Sequence, residues 1–413
     1  MAYLILDPTG VYPRHIVEFL GRVGKGAVAV FTSRARFQLF RDKWSKEIGQ
    51  YVLDQYLAPQ ARSVGALAAE IGARWKGLEG VIPWDEQHVV LGADLGDRLG
   101  LGWNSRKTIE RCRDKYLMKA WLRRHGKARI NASAVVEDKE GAFAFLEEVG
   151  RWPIVVKPTA GSGSTDVYFP TSRDELLRDC QRVMQAGSGQ VLLEEYIGGK
   201  ELAVNGIVDK NGDVLITDIW HYDRRESHGV PNLYYQTFKI PTHDPIFGKV
   251  ALYAGQIVEG LGLRRTPIHM EVKIDDRGPC LIEIGARLSG GNLLVLGSKL
   301  HGRSLLELAA CHYLAELPIK SSEIDYARYD RYDARVVHGI QSREIPRISA
   351  VYGVAEVEAL PSFQGFGRLR YPGMSAPLSR DLDSVAWELY LIHPDAEQVA
   401  FDTARARQLL RYE

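Results

Sequence analysis

Short apolar runs alternate with amphipathic helical stretches along the first quarter of the chain. The apolar runs have the length of buried strands and cover 3–7, 27–31 and 80–83. The helical stretches cover 14–22, 64–74 and 87–99. Strands that are separated by helices pair in parallel, so the pattern predicts an α/β domain with a parallel sheet over residues 1–105.

The pattern changes after residue 105. A charged helical stretch covers 105–125, and from 153 to 284 apolar and polar residues alternate with period two. Residues 209–213 have the composition of a tight hairpin turn, and a helical pattern at 245–261 interrupts the alternation. The middle of the chain is therefore predicted to consist mainly of antiparallel sheet.

The pattern changes again after Pro318. Short strands are predicted at 334–338 and 350–354, and a final helix is predicted at 396–410. The last eighty or so residues therefore have the pattern of a packed accessory domain.

Two glutamates, Glu271 and Glu283, lie on the two arms of one predicted hairpin. The alternation on either side of 276–278 indicates a three-residue loop whose glycine adopts the left-handed conformation. In that register Asp275 pairs with Pro279, so the two glutamates pair with each other. Their carboxylates then leave the same face of the hairpin, about 4.5 to 5.5 Å apart at Cβ.

Like charges at this separation repel each other. A divalent cation removes the repulsion, and oxygen ligands of this kind suit magnesium that carries nucleotide phosphates. The alternative is an exposed polar face on which Lys273 relieves the repulsion. The pair therefore predicts a metal site whose assignment depends on the surrounding motifs.

A loop of small residues follows the apolar run 153–157, which ends in Lys157. The loop contains Gly161, Ser162, Gly163 and Ser164, and a further strand is predicted at 166–169. Small residues let backbone N–H groups approach phosphate oxygens, and the lysine adds a positive charge. Because the loop joins two strands, it is neither a Walker loop nor a dinucleotide-binding turn. A phosphate-covering lid is favoured over a simple surface hairpin.

The segment 191–201 runs from an apolar strand into a linker that ends in two glycines. Such a linker can present backbone groups and a carboxylate to the edge of a purine, and a carboxylate beyond it can accept hydrogen bonds from ribose hydroxyls. The candidate residues are Glu194, Glu195, Tyr196, Ile197 and Glu201.

Composition excludes several classes of partner. The 413 residues contain 53 basic and 52 acidic side chains, so no overall field attracts nucleic acid or an anionic membrane. The N-terminal residues lack the pattern of a signal peptide, and no apolar run approaches membrane-spanning length, so we expect a cytoplasmic protein. The four cysteines lack metal-binding spacing: Cys112, Cys180, Cys280 and Cys311.

The order of these motifs resembles the ATP-grasp superfamily across roughly residues 106 to 315. The residues that carry the resemblance are Lys115, Lys157 with its glycine-rich loop, Glu194-Glu195-Tyr196-Ile197, Glu201, Glu271 and the segment from Glu283 to Asn292. Within the superfamily, the sequence Glu283-Ile-Gly-Ala-Arg287 with a following Ser-Gly-Gly and a long C-terminal region looks most like the L-amino-acid ligases and related carboxylate–amine ligases.

The resemblance implies a fold of mixed class, α/β and α+β, in four parts. Residues 1–105 would form the α/β domain that precedes the ATP-grasp domain. Residues 106–190 would form an N-lobe with the lid, and 191–325 a C-lobe with the metal site. Residues 326–413 would form the accessory domain.

The resemblance also implies how ATP is bound. The lysines would hold the α- and β-phosphates beneath the lid, Glu194 and the backbone after it would hold adenine, and Glu201 would hold the ribose. The full set is Lys115, Lys157, Gly161, Ser162, Gly163, Ser164, Glu194, Glu195, Tyr196, Ile197 and Glu201.

Metal and substrate roles follow from the same resemblance. Glu271 and Glu283 would bind magnesium, with manganese as an alternative, and Arg287 would contact the transferred phosphoryl group and the acyl substrate. Arg287 and Lys157 are therefore the implied catalytic residues. Many members of the superfamily have Asn where this chain has Gly285, a change that amino-acid ligases share. The implied substrate residues are Arg287, Ser289, Gly290, Gly291 and Asn292.

One further segment, 220–237, carries two His, two Arg and three Tyr with weak secondary-structure signals. This composition is typical of functional loops, so we interpret it as a substrate-selecting segment that includes His228. An irregular polar connection is the alternative.

The implied activity is formation of an amide bond between amino-acid-like substrates, through an acyl phosphate, with release of ADP and phosphate. Two alternatives remain open: a carboxylase of the biotin-dependent type that uses bicarbonate, and a non-catalytic ATP-binding module of the same fold. The partners would be small molecules, with neither nucleic acid nor membrane. A homodimer is the default expectation for the assembly.

Overall fold

The structure, a computed structural model, describes residues 2–9, 11–58, 63–161, 166–188, 190–290, 293–314 and 321–413. Within these ranges, no helix is both long enough and apolar enough to cross a membrane. Several residues with predicted roles lie outside the described residues: Ser162, Gly163, Ser164, Gly291 and Asn292.

The N-terminal part contains a parallel sheet, as predicted. Its strands are β1 (Ala2–Leu6), β2 (Gly26–Phe31), β3 (Val52–Leu57) and β4 (Leu78–Ile82). Its helices are α1 (Val11–Arg22), α2 (Arg34–Leu39), α3 (Ser45–Ile48), α4 (Val64–Arg74) and α5 (Val89–Leu99). The strand order is β3-β2-β1-β4. Both faces of β1 are buried, because its alternate residues enter two different core clusters. The edge strand β3 was not predicted from the sequence.

The predicted charged helical stretch consists of two helices, α6 (Arg106–Arg113) and α7 (Lys115–His125). Asp114 separates them because its backbone is extended, and its side chain accepts a hydrogen bond from the Leu117 N–H at 2.8 Å. The new helix therefore begins at Lys115. The Lys115 backbone N–H also donates to the carbonyl of Thr159 at 2.9 Å, which ties the start of α7 to the segment after Lys157.

A small antiparallel sheet follows, with strand order β5-β7-β6. Its elements are β5 (Ser133–Val136), α8 (Lys139–Val149), β6 (Ile154–Pro158), α9 (Arg173–Val183) and β7 (Val191–Glu195). The strand predicted at 166–169 is reduced to a single bridge between Tyr168 and Val156, with hydrogen bonds of 2.8 and 3.0 Å. The chain therefore returns antiparallel to β6 after the glycine-rich loop, without forming a full strand.

The larger sheet has eight strands in the order β12-β11-β8-β9-β10-β13-β16-β15. The elements up to residue 331 are β8 (Lys200–Val208), β9 (Val214–Ser227), β10 (Val230–Lys239), α10 (Pro245–Leu261), β11 (Thr266–Asp275), β12 (Gly278–Gly285), α11 (Leu293–His301), α12 (Leu305–Leu314) and α13 (Tyr326–Arg331). The remaining elements are β13 (Asp333–His338), β14 (Val351–Tyr352), α14 (Val354–Glu358), β15 (Phe363–Leu369), β16 (Trp387–His393), α15 (Ala396–Leu409) and β17 (Arg411–Tyr412). The predicted antiparallel character is confirmed.

Two local predictions were wrong. The segment 220–237 is not a loop, because it lies in the hairpin β9–β10, where Tyr222 and Tyr234 pack edge to face across the strands at 5.1 Å between ring centroids. Its role in substrate selection stays a prediction. The strand predicted at 350–354 is only two residues long, because Gly353 adopts φ +80° and α14 begins after it.

The C-terminal strands β13, β16 and β15 belong to the larger sheet. β13 pairs antiparallel with β10, so the same sheet runs across the predicted boundary near residue 325. Tyr329, Val336 and Tyr390 belong to the same buried cluster as Trp220 and Met270. The boundaries between the four predicted domains stay predictions.

Candidate active site

A cavity of about 310 Å³ lies between the small sheet and the larger one. Its wall includes most of the residues that the sequence implicated in binding ATP and metal: Lys115, Lys157, Gly161, Glu194, Glu195, Tyr196, Ile197, Glu201, Glu271 and Glu283. Their convergence follows from the fold, because β6 and β7 provide one wall and β8, β11 and β12 provide the other.

The two glutamates are directly opposite each other, as predicted, but by a different register. The hairpin loop has two residues, since Asp275 pairs with Gly278 and not with Pro279. The Asp275 carboxylate accepts from the Arg277 N–H at 2.9 Å, and Gly278 has φ +101°. A bulge at Ile282 then adds one residue to β12, which brings Glu271 opposite Glu283.

The carboxylates have different electrostatic surroundings. Burial, then Glu283 and Glu201, raises the pKa of Glu271 to about 8. Burial also opposes ionisation of Glu283, but the Lys115 ammonium at 2.7 Å outweighs it and lowers the pKa of that carboxyl. Two facing, partly buried carboxyl groups, one of them paired with Lys115, form a donor set of the kind that binds a divalent cation together with phosphate oxygens. Within the described ranges, no cluster of three or more His, Cys, Asp or Glu side chains is positioned to hold a metal.

Two lysines bring positive charge to the cavity. Lys115 contacts Glu283 and donates to the carbonyl of Gly161 at 3.0 Å, next to the predicted lid. Lys157, near the end of β6, lies 3.0 Å from Glu194. Burial lowers the pKa of Lys157 to about 8, and the positive charges of Lys119 and Lys115 add to this effect while Glu194 opposes it.

The Glu194 carboxylate is enclosed by cations. One oxygen lies 2.8 Å from Lys119 and the other 3.0 Å from Lys157. Burial opposes ionisation, but these lysines lower the pKa of Glu194 to about 2. The carboxylate therefore faces ammonium groups, whereas the sequence implied that it faces adenine. The role of the backbone at Tyr196 and Ile197 stays a prediction.

Glu195 and Glu201 are also held by cations. Arg277 lies 3.0 Å from Glu195, and Arg151 contacts the same carboxylate, which also accepts from the Ala132 N–H at 3.2 Å. These contacts attach the linker to β5 and to the β11–β12 turn.

Glu201 forms an ion pair with Arg224 and lies 3.8 Å from Lys273. The Lys273 ammonium also lies 4.9 Å from the centre of the Tyr196 ring. Arg224 is an additional cation in the cavity wall; the sequence analysis placed it in the segment interpreted as substrate-selecting, without a role of its own.

Arg287 is not among the residues that line the cavity, and its side chain contacts the segment that follows β4. Its Nε donates to the carboxylate of Glu86, and its Nη1 donates to the carbonyl of Leu288 at 2.8 Å. Glu86 also binds Arg113 of α6. A side chain at Gly285 would crowd this pair, since a Cβ there would lie 3.2 Å from the Glu86 carboxylate and 3.3 Å from Arg287. Sequence reasoning missed Glu86; its place after β4, at the carboxyl end of a parallel strand, is the available signal.

The other predicted substrate residues are not in the cavity wall. Ser289 is buried beside Asp218 in a separate small space, and its Oγ has no hydrogen-bond partner within the described part of the chain. Gly290 is exposed. His228 is also exposed, and its Nε2 lies 2.7 Å from the carbonyl of Ser379. Neighbouring residues line the cavity instead: Val230, Pro231, Asn232, Arg380 and Asp381.

Comparison with known proteins agrees with this geometry. Residues 150–294 match the protein family described as ATP-grasp domain. The crystal structure of an L-amino acid ligase from Bacillus licheniformis superposes with a TM-score of 0.73 at 16% identity, over 100% of this chain and 98% of that one. The chain therefore has the ATP-grasp fold, and residues 150–294 match the ATP-grasp domain that the motifs predicted.

Curated relatives refine the resemblance. Dapdiamide A synthase from Enterobacter agglomerans is 28% identical over 221 residues, which are 52% of this chain and 51% of that protein. The L-arginine-specific L-amino acid ligase from Bacillus subtilis is 22% identical over 220 residues, 52% of each chain. The chain thus spans about half the length of these relatives in the alignments. The resemblance to L-amino-acid ligases is confirmed.

Proposed function

We propose that this protein is an ATP-dependent carboxylate–amine ligase that joins amino-acid-like substrates through an amide bond. The observation that carries the proposal is the convergence of Glu271 and Glu283 with Lys115 and Lys157 in one cavity between two sheets. Phosphoryl transfer requires positive charge and correct positioning around phosphate oxygens, and these residues supply both. The names of the relatives support the same class of reaction.

In the proposed reaction, a substrate carboxylate oxygen attacks the γ-phosphorus of ATP, and ADP leaves. The amine of the second substrate then attacks the acyl carbon, and phosphate leaves. Lys115 and Lys157 bind phosphate oxygens, and Glu271 and Glu283 hold magnesium or manganese. The bound cation would neutralise charge on the transferring phosphoryl group. Arg287 would contact the acyl phosphate while Glu86 orients its guanidinium.

The acyl phosphate must be protected from water. One contact at the base of the predicted lid supports this, because Lys115 donates to the carbonyl of Gly161. The lid residues Ser162, Gly163 and Ser164 would complete the cover over the phosphates. Expected substrates are small molecules, and both a homodimer and a cytoplasmic location stay predictions.

The test is phosphate release with ATP, magnesium and pooled amino acids, followed by mass spectrometry of the products. Stimulation by a pair of amino acids, with a product that has the mass of their amide, is the expected result. Release that depends on bicarbonate would replace the proposal with the carboxylase. ATP binding without turnover on any amino-acid pair would replace it with the non-catalytic module.

Glu283→Gln tests the metal assignment. Loss of one carboxylate ligand is expected to reduce ADP formation at least about a hundredfold while the circular dichroism spectrum is retained. Glu259→Gln is the matched control, since Glu259 is 67% exposed and pairs only with Lys127 at 3.3 Å within the described residues. Near-normal turnover of Glu283→Gln would contradict the assignment.

A further inference from the structure

Lys119 is a fully buried cation just behind the wall of the ATP cavity. Its side chain is 0% exposed, and its ammonium contacts the Glu194 carboxylate at 2.8 Å and the Asn131 amide oxygen at 2.7 Å. It does not line the cavity itself. A buried ammonium is costly unless it is paired and hydrogen-bonded, and both requirements are met here.

Lys119, Glu194 and Lys157 form a chain of three buried charges. The side chains of Glu194 and Lys157 are 2% and 5% exposed, and each carboxylate oxygen of Glu194 faces a different lysine. Glu194 therefore shares its charge between two cations. Without Lys119, the whole carboxylate charge would act on Lys157 and hold its ammonium back from the phosphates.

Lys119 also lies one helical turn after Lys115 on α7, so both project from the same face. Lys115 pairs with Glu283 on β12, and Lys119 pairs with Glu194 on β7. One face of α7 thus contacts Glu283 on the larger sheet and, through Glu194, Lys157 on the smaller sheet. The two sheets form the opposite walls of the cavity.

We infer that Lys119 is a positioning residue that, through Glu194, sets the place of the Lys157 ammonium for the phosphates of ATP. The inference rests on the proposed function only in taking ATP as the ligand. It gives Glu194 a role in aligning Lys157 rather than in contacting adenine. Removal of a buried residue that positions a ligand-binding side chain is expected to change ligand affinity about 10- to 100-fold.

The test is calorimetric binding of two probes, magnesium ATP and magnesium tripolyphosphate, to the full chain without amino acids. Lys119→Met keeps the length of the side chain and removes its charge. Its affinity for both probes is expected to fall about tenfold or more and by a similar factor, because tripolyphosphate lacks adenine. Lys127→Met, at a side chain that is 78% exposed, is the control.

The double variant Lys119→Met/Glu194→Gln separates positioning from folding. It removes the Lys119–Glu194 pair as a whole and leaves Lys157 without the Glu194 carboxylate, so both probes are expected to bind weakly although the variant still melts in one cooperative transition. Wild-type affinity for tripolyphosphate in either variant would overturn the inference. Failure of the wild type to bind ATP would instead overturn the proposed function.

Discussion

The two carboxylates that face each other in the cavity are not equivalent. Glu283 has Lys115 at 2.7 Å, whereas burial and the neighbouring carboxylates raise the pKa of Glu271 from 4.5 to about 8. A group whose folded pKa is raised contributes stability that is complete below its unfolded pKa and is lost as the pH rises through the folded pKa. Ionised Glu271 therefore destabilises the fold when no cation is bound.

We expect Glu271→Gln to raise the melting temperature in EDTA at alkaline pH. The difference from the wild type should be small at about pH 5 and reach several degrees at about pH 9, because glutamine cannot ionise. Differential scanning calorimetry measures this difference in melting temperature at each pH, with Glu259→Gln as the exposed control. A melting temperature at or below that of the wild type at alkaline pH would contradict the assigned repulsion.

His88 is a buried group whose charged form stabilises the fold. It is buried and contacts Asp7 at 2.7 Å and also Asp85. Burial opposes protonation, but the two carboxylates raise the pKa of His88 to about 9 from 6.5. The protonated histidine therefore stabilises the fold below pH 6.5, and this contribution is lost as the pH rises through 9.

The variant His88→Gln is accordingly expected to lower the melting temperature on the order of 5 °C at about pH 6, and by clearly less at about pH 10. His243→Gln, at a side chain that is 77% exposed, is the comparison at both pH values. An equal loss at both pH values would show that packing, and not the charge of His88, accounts for the effect.

The residues of the site differ in how far the sequence predicts them. Glu271 and Glu283 were predicted to pair because period-two alternation fixes which side chains share a face. The contact between Glu194 and Lys119 was not predicted, because it joins a helix to a strand far along the chain and no local periodicity reports it. Local patterns therefore identify faces of elements but not the partner that a buried charge finds.

At the scale of elements, the break at Asp114 decides where Lys115 lies. The Asp114 side chain caps α7 through the Leu117 N–H. Asp114→Ala is expected to cost about 1 kcal/mol of stability and to weaken ATP binding severalfold, since the cap fixes the first turn that carries Lys115. Chemical denaturation and calorimetric titration measure the two effects.

The control for this prediction is Asp138→Ala. Asp138 caps α8 by accepting from the Gly141 N–H at 2.8 Å, and neither residue lines the cavity. This variant should lose a similar free energy of unfolding with unchanged ATP affinity. Equal weakening of ATP binding by both variants would mean that the effect is one of general stability.

The hairpin β9–β10 shows why composition misleads at this scale. Arg, His and Tyr between 220 and 237 suggested an irregular segment, yet these residues stabilise a long hairpin. Arg224 lies 4.0 Å from the centre of the Tyr234 ring, and Arg225 lies 3.9 Å from that of Tyr235. Cross-strand cation–aromatic contacts depend on the pairing partner, which a single segment does not reveal.

At the scale of the whole molecule, the order of the motifs was enough to predict the fold. The contacts that hold distant segments of the chain together were not predictable. The sheet of the C-lobe continues through β10 and β13 into the C-terminal region. The N-terminal domain meets the site through Glu86, which binds both Arg113 and Arg287. Such contacts join residues that are distant in sequence, so neither periodicity nor a family motif contains them.

The contact between Glu86 and Arg287 leads to a prediction that separates ADP formation from ATP binding. In the proposed reaction Arg287 contacts the phosphoryl group, and Glu86 orients its guanidinium beside Gly285. Glu86→Gln keeps the shape but removes the charge that orients Arg287. ADP formation is therefore expected to fall about 10- to 100-fold, while the dissociation constant for ATP changes less than about twofold.

Steady-state kinetics with a substrate pair and calorimetric titration with ATP check the two quantities on the same preparation. Glu110→Gln is the matched control, since the Glu110 side chain is 37% exposed and forms an ion pair with Arg106 at 2.6 Å on the same helix as Arg113. Weaker ATP binding with unchanged turnover would contradict the prediction, because it would place Glu86 and Arg287 in nucleotide binding. The expected result would instead show that the contact between Glu86 and Arg287 acts in the chemical step and not in ATP binding.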